Sequence, residues 1–155
     1  MRAIAPDAVR GRCSSLLTAL LLLFSCALLL ADVHRDVLHV FGSMSNALMA
    51  GSAAQFLDAF DRNMPDYERI RSNVTGLLEQ GQIASSAQAV RDEGDEQHRS
   101  VDLDWYLEIH GSDSAAPVVR RRETVHCRLE KLKKHWRIVA LDPVSFFAPQ
   151  NLNSQ

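Results

Sequence analysis

Between residues 101 and 109 the chain reads Val-Asp-Leu-Asp-Trp-Tyr-Leu-Glu-Ile, and no other stretch restricts the fold as tightly. Val101, Leu103, Trp105, Leu107 and Ile109 alternate with Asp102, Asp104, Tyr106 and Glu108. Side chains along a strand point to opposite faces in turn, so a period of two specifies a strand with one apolar and one wet face. Val118 to Glu130 is the next strand and His135 to Leu141 the last, joined by the polar turn Lys131-Leu132-Lys133-Lys134. If a loop centred near Ser114 joins an antiparallel pair, His110 lies near Val118, Glu108 near Arg120 and Asp102 near His126. Asp102, Asp104 and Glu108 then share a face with Arg120, Arg122 and Arg128, and opposite charges across a ladder attract. The inner row becomes Val101 to Ile109 against Val125, Cys127 and Leu129. Across the lysine turn, Leu129 is expected to face Trp136, Cys127 to face Ile138, and Val125 to face Ala140. Val139 and Leu141 then look outward and need a cover, either Phe146-Phe147 or a second subunit.

Upstream the period is helical. Val37, Phe41, Met44 and Leu48 form one stripe of a helix over Val33 to Ala50, which Gly51 ends. Ser52-Ala53-Ala54-Gln55 is a capping-box sequence opening a short second helix with Phe56, Leu57 and Phe60 on one side. Asn63-Met64-Pro65-Asp66 opens a third, in which Tyr67, Ile70, Val74, Leu77 and Leu78 form the buried stripe and Gly81 is the stop. Ile83 to Arg91 reads as a weak strand of small residues, and Asp92 to Glu96 as a solvated turn. The fold class is therefore α+β, with three N-terminal helices packed on the concave face of a curved antiparallel sheet of about four strands.

Residues 1–31 stand outside this domain. Arg2, Arg10 and Arg12 precede Leu16–Ala31, an uncharged apolar run, which is the pattern of an export signal or an N-terminal membrane anchor. Both alternatives put the rest of the chain on the far side of a membrane, in a periplasmic or other extracytoplasmic space. Leu23-Phe24-Ser25-Cys26 resembles a lipoprotein box only faintly, because apolar residues continue past Cys26. Without residues 1–31 the chain loses three arginines and Asp7, leaving fourteen basic against eighteen acidic side chains, a net charge of −4. A mildly acidic domain lacks the positive footprint that nucleic acid requires. With Cys13 and Cys26 in the leader, Cys127 has no intramolecular disulfide partner in a processed domain.

Asn46-Ala47-Leu48 with Gly51, Phe56-Leu57-Asp58-Ala59-Phe60 and His135-Trp136-Arg137-Ile138, on three helices and a curved sheet, resemble the nuclear-transport-factor-2-like superfamily. This is the cone fold of SnoaL-like cyclases and ketosteroid isomerases. The resemblance runs over residues 32–149, with 150–155 a polar tail. It implies a cone whose mouth can admit a small apolar ligand, and often a homodimer through the outer face of the sheet.

Candidate pocket residues follow from strand parity and helix faces. Phe56, Phe60 and Trp105 would line the cone, with Tyr67 near its rim. Arg121 and Glu123 share a parity with Val125, Cys127 and Leu129, so they should enter the inner face near one end, as a ligand-binding pair or a rim salt bridge. Asp58 and Asp61 belong on the solvent side of their helix, and Asp102, Asp104 and His110 point outward. His126 and Cys127 are adjacent in a strand and face opposite ways, so they make no dyad, and Cys127 is a small core hydrophobe. The six histidines show no metal spacing, and no cofactor motif is present. Arg120 to Arg122 with Lys131, Lys133 and Lys134 could form an anion patch, but cross-strand acids should neutralise Arg120 and Arg122. Asn73-Val74-Thr75 matches a glycosylation sequon inside a predicted helix.

Two function classes remain beside a purely structural homodimer. One is an exported small-ligand-binding or protein-assembly module without catalysis. The other is a cofactor-independent lyase or isomerase for a hydrophobic substrate, using Tyr67 or the Arg121/Glu123 pair. A cone filled by Phe41, Phe56, Phe60 and Trp105 counts against the enzyme and weakens the ligand-binding reading.

Overall fold

Residues 33–112 and 117–150 are described by the computed structural model, and the leader falls outside them. Of these, residues 35–112 and 117–150 belong to one compact unit. A helix over residues 33–49 (α1) buries Val37, Phe41, Met44 and Leu48, the stripe expected from the sequence. It stops where Gly51 takes φ +69°, a left-handed conformation without a Cβ penalty. The Ser52 hydroxyl accepts the Gln55 amide at 3.3 Å and caps α2, Ala53–Leu57, which buries Phe56. Tyr67–Glu79 (α3) buries Ile70, Val74 and Leu77.

Four antiparallel strands follow in the order β1-β2-β3-β4: Gly81–Gly94, His98–Gly111, Val119–Leu132 and His135–Asp142. The sequence-derived register of the central pair holds, with Glu108 opposite Arg120 and Asp102 opposite His126. β1 runs further than its small residues suggested, and the turn after it moves to Asp95–Gln97. There the Asp95 carboxylate accepts the amides of Gln97 and His98, each at 2.7 Å, which holds it below the usual carboxylate range.

The last hairpin departs from expectation. Its turn is Lys133-Lys134, since Leu132 pairs with His135, and Lys133 takes φ +61°. Arg128 pairs with Ala140 and Leu129 with Ile138, so Val139 is an unpaired bulge residue. The bulge inverts the parity beyond it. Leu141 turns inward opposite Cys127 and is 3% exposed, while Ala140 is half-exposed. The expected pairs Leu129–Trp136, Cys127–Ile138 and Val125–Ala140 are thus replaced, and Trp136 stands opposite Lys131. No outward Val139/Leu141 pair remains for Phe146-Phe147 to cover.

The outer edge of β4 is met at Ile138 by the segment after α2. The Asp61 amide donates to the Ile138 carbonyl and the Ile138 amide to the Ala59 carbonyl, both at 2.9 Å, and Phe60 bridges Ile138 in parallel. A 3-10 turn, Val144–Phe147, follows β4 and lies against α3.

Candidate functional site

The concave face of the sheet is where a cone of this kind would receive a ligand. Along β2 it presents Val101, Leu103, Trp105, Leu107 and Ile109, all between 0% and 4% exposed. β3 and β4 add Val125, Cys127, Leu129, Ile138 and Leu141. Burial pushes the Cys127 thiol far up, with a smaller push from the Asp102 charge, so it stays a neutral apolar filler. At the centre, Trp105 donates its indole N–H to the Ser85 hydroxyl at 3.0 Å. Its ring meets Phe147 edge-on at 5.0 Å between centroids, Phe146 at 6.3 Å and Phe56 at 6.5 Å. Phe56 in turn touches Phe60 and Phe147. All five rings are at least 97% buried, so the cluster is a packed core with the geometry that aromatic pairs favour.

Phe146 and Phe147 enter that cluster from the C-terminal segment, which side chains hold by its backbone. Arg121 donates from one guanidinium nitrogen to the Phe146 carbonyl at 2.9 Å and also to the Ala148 carbonyl. Asn73 donates to the Val144 carbonyl at 3.0 Å. Gln80 closes a reciprocal pair with the Gln150 backbone, at 2.9 Å and 2.7 Å. Pro149 lies over Gly76, where a Cβ would stand 3.2 Å from its ring. Partial burial lowers the Arg121 pKa from its ordinary value, and its partners are carbonyls rather than a carboxylate.

The sequence-derived pocket residues therefore separate into three places. Phe56, Phe60 and Trp105 come together in the buried cluster. Tyr67 is half-buried as the first residue of α3. Arg121 stands opposite Leu107 and binds the C-terminal segment. Glu123 stands opposite Trp105 yet is exposed, because β4 ends opposite His126 and no strand lies beyond residues 119–125 of β3. The end of the concave face at the β1–β2 hairpin carries a pair of which the sequence reading placed one member, Asp92, in a solvated turn. Arg99 reaches Asp92 at 2.7 Å, with side chains only 9% and 7% exposed. The bulge at Val90 brings Asp92 opposite Val101 and onto the inner face, and a bulge has no residue signature of its own.

The convex face is ionic. Arg122 grips Asp104 at 2.6 Å, Arg120 binds Glu108 at 2.9 Å, and His126 meets Asp102 at 2.7 Å. The Arg122 hydrogen bond holds the Asp104 carboxyl below the usual range. Glu108 is lowered first by the Tyr106 hydroxyl and then by Arg120, while the same bond raises Tyr106. Between α1, α2 and β4 lies a surface groove of about 360 Å³ edged by Asp36, His39, Gln55, Asp58, His135 and Trp136. No group of three His, Cys, Asp or Glu suited to a metal ion occurs among the described residues, and no helix among them is long and apolar enough to cross a membrane.

No family model matches the chain, and no curated protein matches it. Solved structures do. A Novosphingobium aromaticivorans protein named for scytalone dehydratase superposes with a TM-score of 0.60 at 9% identity, covering 72% of this chain and 85% of that one. A nuclear transport factor 2-like superfamily protein from Salmonella enterica gives 0.59 at 9% identity, covering 80% and 96%. A Xanthomonas campestris protein named for the association domain of calcium/calmodulin-dependent protein kinase II gives 0.55 at 15% identity, covering 69% and 83%. At such identities the likeness concerns the fold alone.

Proposed function

The chain has the nuclear-transport-factor-2-like cone fold, and from that premise we propose that it is a non-catalytic protein-assembly module, held or released on the far side of a membrane by its N-terminal segment. One observation carries the reading: the middle of the concave face is occupied by Trp105, Phe56, Phe146 and Phe147. A cofactor-independent lyase or isomerase needs an open site with at least two titratable groups within reach of the substrate. Here the charges that share the concave face by register are spent or turned away: Arg99 pairs with Asp92 near the β1–β2 hairpin, Arg121 binds the C-terminal segment, and Glu123, opposite Trp105, is exposed. The neighbour named for a kinase association domain supports assembly as a use of this fold, and the neighbour named for a dehydratase supports the rival.

A second reading has its own support. Polar side chains hold residues 144–150 at their backbone, so Phe146-Phe147 could give way to a small apolar ligand lined by Trp105, Phe56, Phe60, Tyr67, Arg121 and Glu123. Native mass spectrometry of the chain purified from its own membrane or soluble fraction separates the two. Assembly predicts masses at multiples of the processed or unprocessed chain, with no small molecule retained. A stoichiometric apolar adduct, lost in a Trp105→Ala variant, would replace this reading with ligand binding.

A further inference from the structure

The free edge of β1 differs from every other sheet edge described. The edge of β4 is short, eight residues, and is already paired at Ile138 by residues 59–61. The part of β3 beyond β4 carries Arg120, Arg121, Arg122 and Glu123, and charge discourages strand addition. β1 is 14 residues long, and its run Gln82–Val90, Gln-Ile-Ala-Ser-Ser-Ala-Gln-Ala-Val, holds no charge and no proline. Among the described residues, no backbone hydrogen bond from outside the β1–β2 ladder reaches this run. Its one guarding device is the bulge at Val90, near the end, where the valine is 61% exposed.

We infer that β1 pairs edge to edge with β1 of a second copy of this chain, antiparallel about a twofold axis at Ser86, joining two four-stranded sheets into one. The inference deepens the assembly reading and rests on it. A twofold interface sets each residue against its own symmetry mate, so a strand that uses it must tolerate itself. Residues facing each other across an antiparallel pair share a face, which requires a register whose two residue numbers sum to an even value. The uncharged run is centred on Ser86, and that register satisfies the condition. Ala84 then stands against Gln88 of the other copy, Ser85 against Ala87, and Ile83 against Ala89. Each pair combines residues of matching exposure along β1, or a buried residue with a half-buried one. No like charges meet, the small side chains leave room for close approach, and exposed Val90 comes to the rim beside Gln82 of the other copy. The convex face is a poorer place for a second copy, because covering it would strip water from Asp102, Asp104 and Glu108 and their partners.

The register makes a charge-swap test. Ala84 and Gln88 are exposed on the convex face of β1, so substitutions there leave the core alone. In A84K/Q88K, lysine meets lysine twice across the axis; in A84K/Q88E, lysine meets glutamate twice. The full chain, the two variants and A84E/Q88K are compared by native mass spectrometry from detergent micelles over a concentration series, so that any association through the leader is common to all. The expected result is dimer for the native chain, a dissociation constant raised about tenfold for A84K/Q88K, and restoration in both mixed-charge variants. Equal dimer in all four overturns the edge and places the contact elsewhere. Monomer in all four overturns the pairing altogether. Equal dimer in all four leaves the assembly reading standing, whereas monomer in all four removes it together with the edge.

Discussion

On β2 the same strand builds two opposite surfaces. From Val101 to Ile109 its concave side chains are buried, with Phe56, Phe146 and Phe147 packed on Trp105, and are apolar apart from the Trp105–Ser85 bond, while Arg99 at its start pairs with Asp92. Its convex acids stay partly in water and are matched charge for charge by better-exposed partners on β3. Stability should therefore be concentrated on one side and register on the other. Exposed ion pairs add little to the folding free energy, yet they penalise a slipped ladder.

The largest break in this comparison should come from the concave side. Trp105→Ala removes a fully buried ring that contacts three others, and should cost about 3–5 kcal/mol in urea unfolding. Cys127→Ser keeps the volume but places a hydroxyl where the thiol is 1% exposed, and should cost about 1–3 kcal/mol by the same measurement. Arg121→Met frees the Phe146 and Ala148 carbonyls at a half-buried position. It should cost about 1 kcal/mol and speed limited proteolysis after Phe147 more than cleavage elsewhere.

Asp104→Asn should change the neutral urea midpoint least, because Arg122 stays solvated when its partner is lost. Its effect belongs to acid. The folded-state pKa values of Asp104 and Glu108 lie below their ordinary range. Their contribution is therefore present above the unfolded-state values and is lost as pH falls through the lowered folded-state ones. Urea midpoints taken from about pH 6 to about pH 3 should fall less steeply for Asp104→Asn than for the native chain. A parallel fall would mean that Asp104 has no part in acid sensitivity.

The contrast between the two faces of β2 is also the part of the molecule that the sequence displays most openly. An unbroken period of two from Val101 to Ile109, with acids set to meet arginines, leaves one register in which both faces agree, and the observed pairing follows it. The helical stripes of α1 and α3 were legible for the same reason. What escaped lies where one extra residue changes parity. Val139 turns Leu141 inward, and Val90 carries Asp92 to the concave side, though neither valine differs in type from its regular neighbours. The place of Phe146-Phe147 was hidden too. An apolar pair after a strand can cover either face, and only the tertiary contacts of Asn73, Gln80 and Arg121 with the segment around it select the concave one.

The closed cone is the claim on which the functional reading turns, and Trp105 can report on it directly. The chain has two tryptophans, so a Trp136→Phe variant leaves Trp105 as the sole indole. Acrylamide quenching of its fluorescence in the folded state should be weak and rise sharply only on unfolding. Quenching of the folded protein close to that of the unfolded chain would mean an open cone, and the non-catalytic assembly reading would lose its footing.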